Sequence, residues 1–265
     1  MEKEKVTGVV IRERSAGDND KLLTLLTAEH GKMLVTGKGV RSLKNKNMAS
    51  TQMFCFSSFV ITKNRGGYYH IYESDLLESF FGLRRDIVPL SLATYICDVV
   101  DHCSVEDSGD VPLMRLLLNT LYAISSAKKP YEQIKGAFEM RCAAVCGLSP
   151  DLDGCAVCGT DEAPMYYLDI LGGCIVCADC MSKRRIDDVV DVDVSSEWTR
   201  PLVSLSPELL AVLRHLIGCD ISRLLAFALP EDMSHDYTAA CERYLLHHLG
   251  RGFDTLDFYK QISKM

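Results

Sequence analysis

No stretch of this 265-residue chain approaches the roughly 18 apolar residues that a membrane-spanning helix needs, so no membrane partner is expected. The opening MEKEKVTGVV has no apolar core of a secretory signal, which points to a cytoplasmic protein. Catalytic signatures are equally scarce. The chain contains no Walker A pattern, no G-x-G-x-x-G, no H-E-x-x-H and no G-x-S-x-G, so neither an enzyme nor a small-molecule substrate is expected. His247-His248 has no acidic neighbour at metal-ligand spacing. There is no internal repeat and no low-complexity linker. With 48% hydrophobic and 25% charged residues, the composition is that of a globular protein able to bury a core.

Two things are present in excess. The first is cysteine, at 12 residues; in a reducing compartment this favours metal ligation or buried thiols over disulfides. The second is unevenness of charge. Residues 1–70 carry twelve Lys/Arg against six Asp/Glu, whereas residues 151–265 carry ten against nineteen, within a net charge of −7. A basic first quarter on an acidic protein suits contact with a polyanion.

Five short strands are expected in the first eighty residues, at 6–13, 22–27, 32–37, 54–62 and 68–73, separated by Gly-bearing turns. Five strands match a small barrel of the OB type, whose loops and one face bind oligonucleotides. From about residue 83 the period becomes helical. Helices are expected at 90–100, 111–127 and 131–146, the last with Ile134, Phe138, Arg141 and Val145 on one stripe, and again at 207–217 and 234–249. Between them, 165–170 and 174–176 flank Gly172-Gly173 as a tight hairpin. The fold class is therefore α+β and multidomain, with an N-terminal barrel of the OB type and a helical bundle on either side of a Cys-, Gly- and Asp-rich stretch, for which a zinc-ribbon-like Cys₄ module is expected from its cysteine spacing. The domains are a DNA-binding barrel at 1–80, bundle segments at 81–150 and 201–265, and the zinc-binding module at 151–200.

Cys155-Ala-Val-Cys158 and Cys177-Ala-Asp-Cys180 are separated by eighteen residues, a spacing that reads as one tetrahedral, structural Zn²⁺ site. Two residues between thiolates let a tight knuckle aim both sulfurs at one ion, and Gly159 eases the turn. Cys174-Ile-Val-Cys177 is a rival C-x₂-C. Cys174 directly follows the Gly-Gly turn and falls in the returning strand, so Cys177 and Cys180 are preferred. The remaining cysteines lie among apolar neighbours and read as small buried hydrophobes.

Lys38, Arg41, Lys44 and Lys46 fall within nine residues on a segment with Gly37, Gly39 and two asparagines. Long cationic side chains on such a loop suit a phosphate backbone, which demands charge and reach rather than base-edge geometry. A merely solvated loop has the same sequence. Arg12, Arg14, Lys32, Lys63 and Arg65 extend the surface across the barrel. Tyr68, Tyr69 and Tyr72 are candidate stacking platforms for bases, but a core position is expected for any one of them. Asp187, Asp188, Asp191 and Asp193 alternate with valines and read as a solvated strand edge rather than a magnesium-dependent nuclease site.

Several stretches, in order, resemble the RecO family of bacterial recombinational repair proteins. FEMRCAAVCGLSPDLDGCAVCG at 138–159 is similar to that family's last bundle helix running through Gly147, Pro150 and Leu152 into the first zinc knuckle. GKGVRS at 37–42 resembles the basic loop after the third barrel strand, FGLRRDIVPLSLATYICDVVD at 81–101 the first bundle helix, and HHLGRGFDTLDFY at 247–259 the C-terminal segment. The resemblance implies an N-terminal OB-fold, a helical bundle and a Cys₄ zinc module inserted in that bundle. It further implies binding of single- and double-stranded DNA, annealing of complementary strands and, with RecR, loading of RecA onto DNA coated by single-stranded DNA-binding protein (SSB). The C-terminal tail of SSB is then an expected ligand. In the family, two residues usually separate the Gly-Gly from the next cysteine; here the gap is none to Cys174 or three to Cys177. Lys38 and Arg41 match the family's basic positions better than Lys44 and Lys46. The alternative from another class is a zinc-ribbon scaffold that contacts only proteins through its acidic half.

Overall fold

In the computed structural model, which describes residues 3–187 and 202–264, the chain divides into two compact units, residues 1–131 with 253–265 and residues 132–252. The acidic run from Asp188 onward, including Asp191 and Asp193, lies outside the described residues.

The first unit begins with five strands: β1 (Lys3–Ala16), β2 (Asp20–Thr27), β3 (Gly31–Gly37), β4 (Phe56–Lys63) and β5 (Tyr69–Glu78). They close into a barrel in the order β1-β2-β3-β5-β4. All pairings are antiparallel except β3 with β5, which meet in parallel at Val35↔Tyr69 and Thr36↔His70. Alternate residues such as Val6, Val10, Leu23, Val35, Phe59 and Ile71 fill the interior. This is the expected OB-fold. Alternation along β1 is loose because a register shift falls between Val10 and Arg12 and because Val9, Val10 and Ile11 are all buried. The barrel encloses one face of β1, while helix α1 (Ile87–Cys103) packs on that strand in the same unit.

Helix starts follow elementary capping. The Asp86 carboxylate accepts from Val88 N–H at 2.9 Å ahead of α1. Asp110 accepts from Leu113 N–H at 2.9 Å ahead of α2 (Val111–Ser126), with Pro112 in its first turn. Gly82 permits close approach to α2, since a Cβ there would meet the Ser125 carbonyl oxygen at 2.1 Å.

The second unit contains α3 (Tyr131–Val145), β6 (Asp151–Cys155), β7 (Tyr166–Asp169), β8 (Cys174–Cys177), α4 (Ala178–Asp187), β9 (Leu202–Leu205), α5 (Pro207–Gly218) and α6 (Ser234–Leu249). Its sheet runs β6-β8-β7-β9, and β7 and β8 form the expected hairpin across Gly172-Gly173. The apolar stripe on α3 is less simple than its period suggests. Ile134 and Phe138 are buried, but so are Lys135 and Glu139, at 1% and 0% exposure. Lys135 Nζ pairs with Glu139 at 2.9 Å and with Glu242 of α6 at 2.8 Å. Arg141 sits at the edge and donates to the carbonyls of Leu216, Ile217 and Cys219, which finish α5. Finally α7 (Asp254–Ile262) belongs to the first unit and packs on α1, where Thr255 donates to Asp98 at 3.0 Å.

Candidate nucleic-acid interface and metal centre

The basic segment after β3 is an ordered series of turns from Lys38 to Phe54, anchored at several points. Val40 is fully buried. Gly39 N–H donates to the Asp20 carboxylate at 2.7 Å, and Arg41 N–H to the Asn19 carbonyl at 3.0 Å, tying the loop to the β1–β2 turn. Farther along, buried Asn47 accepts from Ser74 N–H at 3.1 Å through its side chain, and Ser50 bonds the Ser74 hydroxyl at 2.7 Å. A backbone fixed this firmly holds its exposed side chains over a defined patch of the barrel.

The cations on this frame differ in their surroundings. Lys38 and Lys44 are exposed, and among the described residues neither has a carboxylate partner. Arg41 is exposed and donates to the carbonyls of Gly17 and Asp18 at 3.3 and 3.1 Å, and no carboxylate among the described residues pairs with it. Lys46 instead pairs with Glu73 of β5. On β1, Arg12 is bound to Asp98 at 3.0 Å and Asp101 at 2.8 Å, both on α1; Asp101 also takes Lys32 at 3.4 Å. Arg14 stays exposed in a groove of about 240 Å³ with Arg12, Lys32, Leu22 and Leu34. The six predicted contact residues are therefore three open cations on one loop, an open Arg14 on the adjacent face, and two that carboxylates already hold. The tyrosines depart from expectation. Tyr69 packs against the barrel core, but Tyr68 and Tyr72 are 69% and 55% exposed, correcting the core assignment for those two. Tyr72 alternates with the buried Ile71 and so faces away from the barrel core, and Tyr68 precedes β5.

In the second unit, Cys155, Cys158, Cys177 and Cys180 bring their sulfurs within 4.8 Å of one another. Cys155 ends β6, Cys177 ends β8, and Cys180 lies in the first turn of α4. The first knuckle turns at Gly159, whose φ of +77° suits glycine, and Gly159 N–H returns to the Cys155 carbonyl at 2.8 Å. Burial alone would raise the Cys155 thiol; N–H groups of Cys177, Cys158 and Val157 aimed at the sulfur reverse this and bring it down to about 6. Hydrogen bonding with Cys158, then burial, pushes Cys180 up to about 12. A tetrahedral ion bound at about 2.3 Å separates its sulfur ligands by about 3.8 Å, and Cys158 Sγ and Cys177 Sγ are 3.8 Å apart. The donor set thus fits a metal ion and leaves no open position. Cys174 stays outside the group, paired with Asp169 at the other end of β8. Of the remaining cysteines, Cys55, Cys97, Cys142 and Cys241 are buried, while Cys103, Cys146 and Cys219 are half-buried.

Residues 1–80 match the family model described as recombination protein O, N terminal, and residues 84–189 the one described as recombination protein O, C terminal. The chain is 30% identical over 182 residues to the DNA repair protein RecO of Listeria monocytogenes, covering 69% of this chain and 70% of that one.

The chain belongs to the RecO family.

It is also 26% identical to the DNA repair protein RecO of Acetivibrio thermocellus, over 98% of each chain. The same identity relates it to the DNA repair protein RecO of Alkaliphilus metalliredigens, over 97% of this chain and 99% of the relative. The RecO N-terminal match ends two residues beyond β5, so it coincides with the barrel. The RecO C-terminal match contains all four gathered cysteines. Membership of this family makes the protein one of DNA repair and recombination. Among the described residues, no helix is long and apolar enough to cross a membrane.

Proposed function

We propose that this chain is a non-enzymatic recombination mediator of the cytoplasm and nucleoid, which binds single- and double-stranded DNA through its barrel and anneals complementary strands. With RecR it helps load RecA onto SSB-coated DNA, and it takes the C-terminal tail of SSB as a further ligand. The observation that carries the DNA-binding reading is the pair of exposed lysines, Lys38 and Lys44, held on an anchored loop of an OB barrel with no carboxylate partner among the described residues. Neutralising phosphates on two strands lowers their mutual repulsion, so complementary bases can meet. Arg41 and Arg14 join the same surface, whereas Arg12 and Lys46 enter it only by giving up Asp98, Asp101 or Glu73.

The four cysteines hold one structural Zn²⁺ in this reading, and bound metal supplies the positive charge that lets four neighbouring thiolates coexist. Its task is to fasten two knuckles of a small sheet. A stoichiometric metal assay on purified protein tests this: one zinc per chain is expected, with loss of metal and solubility together in Cys155→Ser. A folded, metal-free wild type refutes it.

Direct DNA contact is tested by titrating labelled oligonucleotide with the full chain at several salt concentrations. Nanomolar to micromolar binding that weakens steeply with salt is expected, and charge reversal at Lys38 and Arg41 lowers affinity and flattens the dependence. The acidic balance of residues 151–265 favours a second reading, a scaffold that contacts proteins only. Salt-independent absence of oligonucleotide binding establishes that reading instead.

A further inference from the structure

The basic loop accounts for phosphate binding, but phosphate contacts alone do not separate a single strand from a duplex. A second surface, on β1, β4 and β5 of the same barrel, has different chemistry. Tyr72 and Tyr68 project from it, and the rings of Tyr72 and Tyr69 each carry a lysine ammonium. Lys3 Nζ lies 3.5 Å from the centroid of Tyr72, and Lys63 Nζ lies 4.9 Å from that of Tyr69. Lys3, Lys63 and Tyr69, with Glu4 and Ile61, line a cavity of about 420 Å³. Among the described residues Glu4 is the one carboxylate lining it, and that group is engaged by His30 Nε2 at 2.5 Å. The surface adjoins the end of the basic loop, because Lys46 reaches Glu73, the residue after Tyr72.

We propose that this surface is a single-strand-selective subsite that stacks unpaired nucleobases on Tyr72 and Tyr68 and places Lys3 and Lys63 on the flanking phosphates. The inference rests on the reading of the barrel as DNA-binding and names what its second surface recognises. An exposed tyrosine face is a sequence-tolerant platform, since every base offers a π-face. In the free protein, ammonium groups occupy ring faces as cation–π contacts. A base that displaces Lys3 from Tyr72 frees that ammonium for the phosphate beside the same nucleotide, so one contact is exchanged for two. A duplex gains nothing comparable, because its bases are already stacked on one another. Tyr68 and Tyr72 are four residues apart, about 13 Å along an extended chain at roughly 3.3 Å per residue, so each ring serves its own nucleotide.

The test uses the full chain and three labelled probes: an oligothymidylate, an abasic strand of the same length, and a duplex. Wild type is expected to prefer the oligothymidylate to the abasic strand. Tyr68→Leu/Tyr72→Leu abolishes that preference, with loss of about tenfold per ring on oligothymidylate and none on the abasic strand or the duplex. Tyr72→Phe retains the preference, because the ring and not the hydroxyl does the stacking. The inference is overturned if the double leucine variant keeps the preference, if wild type has none, or if the duplex weakens equally. Failure of wild type to bind any of the three probes refutes the DNA-binding reading itself. A Lys38→Glu/Lys44→Glu variant that weakens all three alike upholds that reading whatever the tyrosines do.

Discussion

Two lysines of this protein stand at opposite extremes. Lys135, on α3, is 1% exposed and gripped by Glu139 and Glu242, whereas Lys38 stands in water with no carboxylate against it among the described residues. Burial alone would drive the Lys135 ammonium towards neutrality, but the two carboxylates overcome it and hold its pKa above the usual lysine value. A dry, paired charge of this kind fixes how two helices meet and is unavailable to a ligand. A wet, unpaired one contributes little to the fold and is free to meet a phosphate. Arg12 lies between them, 39% exposed but held by two carboxylates. Availability, and not the count of basic residues, decides which cations make an interface.

The sharpest way to break this contrast is Lys135→Met. It takes the shared ammonium away from buried Glu139 and half-buried Glu242 and is expected to cost about 3–5 kcal/mol in chemical denaturation. A loss below about 1 kcal/mol would mean that the triad is hydrated and the contrast false. Replacing Lys135, Glu139 and Glu242 together by Met or Leu should restore most of that loss, since an apolar core of equal volume has no charge to desolvate.

At the wet end, Lys38→Glu/Lys44→Glu should leave stability within about 0.5 kcal/mol of wild type, while DNA affinity falls at least about tenfold at low salt. Unfolding and binding curves on the same preparation check both halves. Between the extremes, Arg12→Ala should lower stability by about 1 kcal/mol or less and leave DNA affinity unchanged, because its charge is already met and partly screened. Strong loss of DNA binding there would show that Arg12 leaves Asp98 and Asp101 for the ligand. The smallest effect belongs to Lys46→Ala: no change in Tm and little in affinity, by the same measurements.

The elements that were legible in the sequence are those with local signatures. The five barrel strands carry Gly-bearing turns, α1 and α2 carry Pro89 and Pro112 in their first turns, and the two C-x₂-C knuckles carry their spacing. Short elements without such marks, β6, α4 and β9, went unannounced because four to ten residues give too little period to read. The preference for Cys177 and Cys180 over Cys174 followed from where a hairpin places its residues, and those sulfurs are the ones that gather. What local pattern does not carry is pairing across the chain. Arg12 meets Asp98 across 86 residues, and Lys135 meets Glu242 at a separation of 107. The tyrosines were legible in part: alternation sets Tyr68 and Tyr72 on the face opposite Tyr69 and Ile71, and the structure turns the second set to the core, a choice of face that the pattern alone does not make.

The central claim is that uncompensated lysines on the anchored loop make the phosphate contacts. The slope of log affinity against log salt for a single-stranded oligonucleotide, compared between wild type and Lys38→Gln/Lys44→Gln, tests it most directly. A fall in slope of about 0.7 for each lysine removed is the result the account predicts. An unchanged slope in a folded double variant would contradict it.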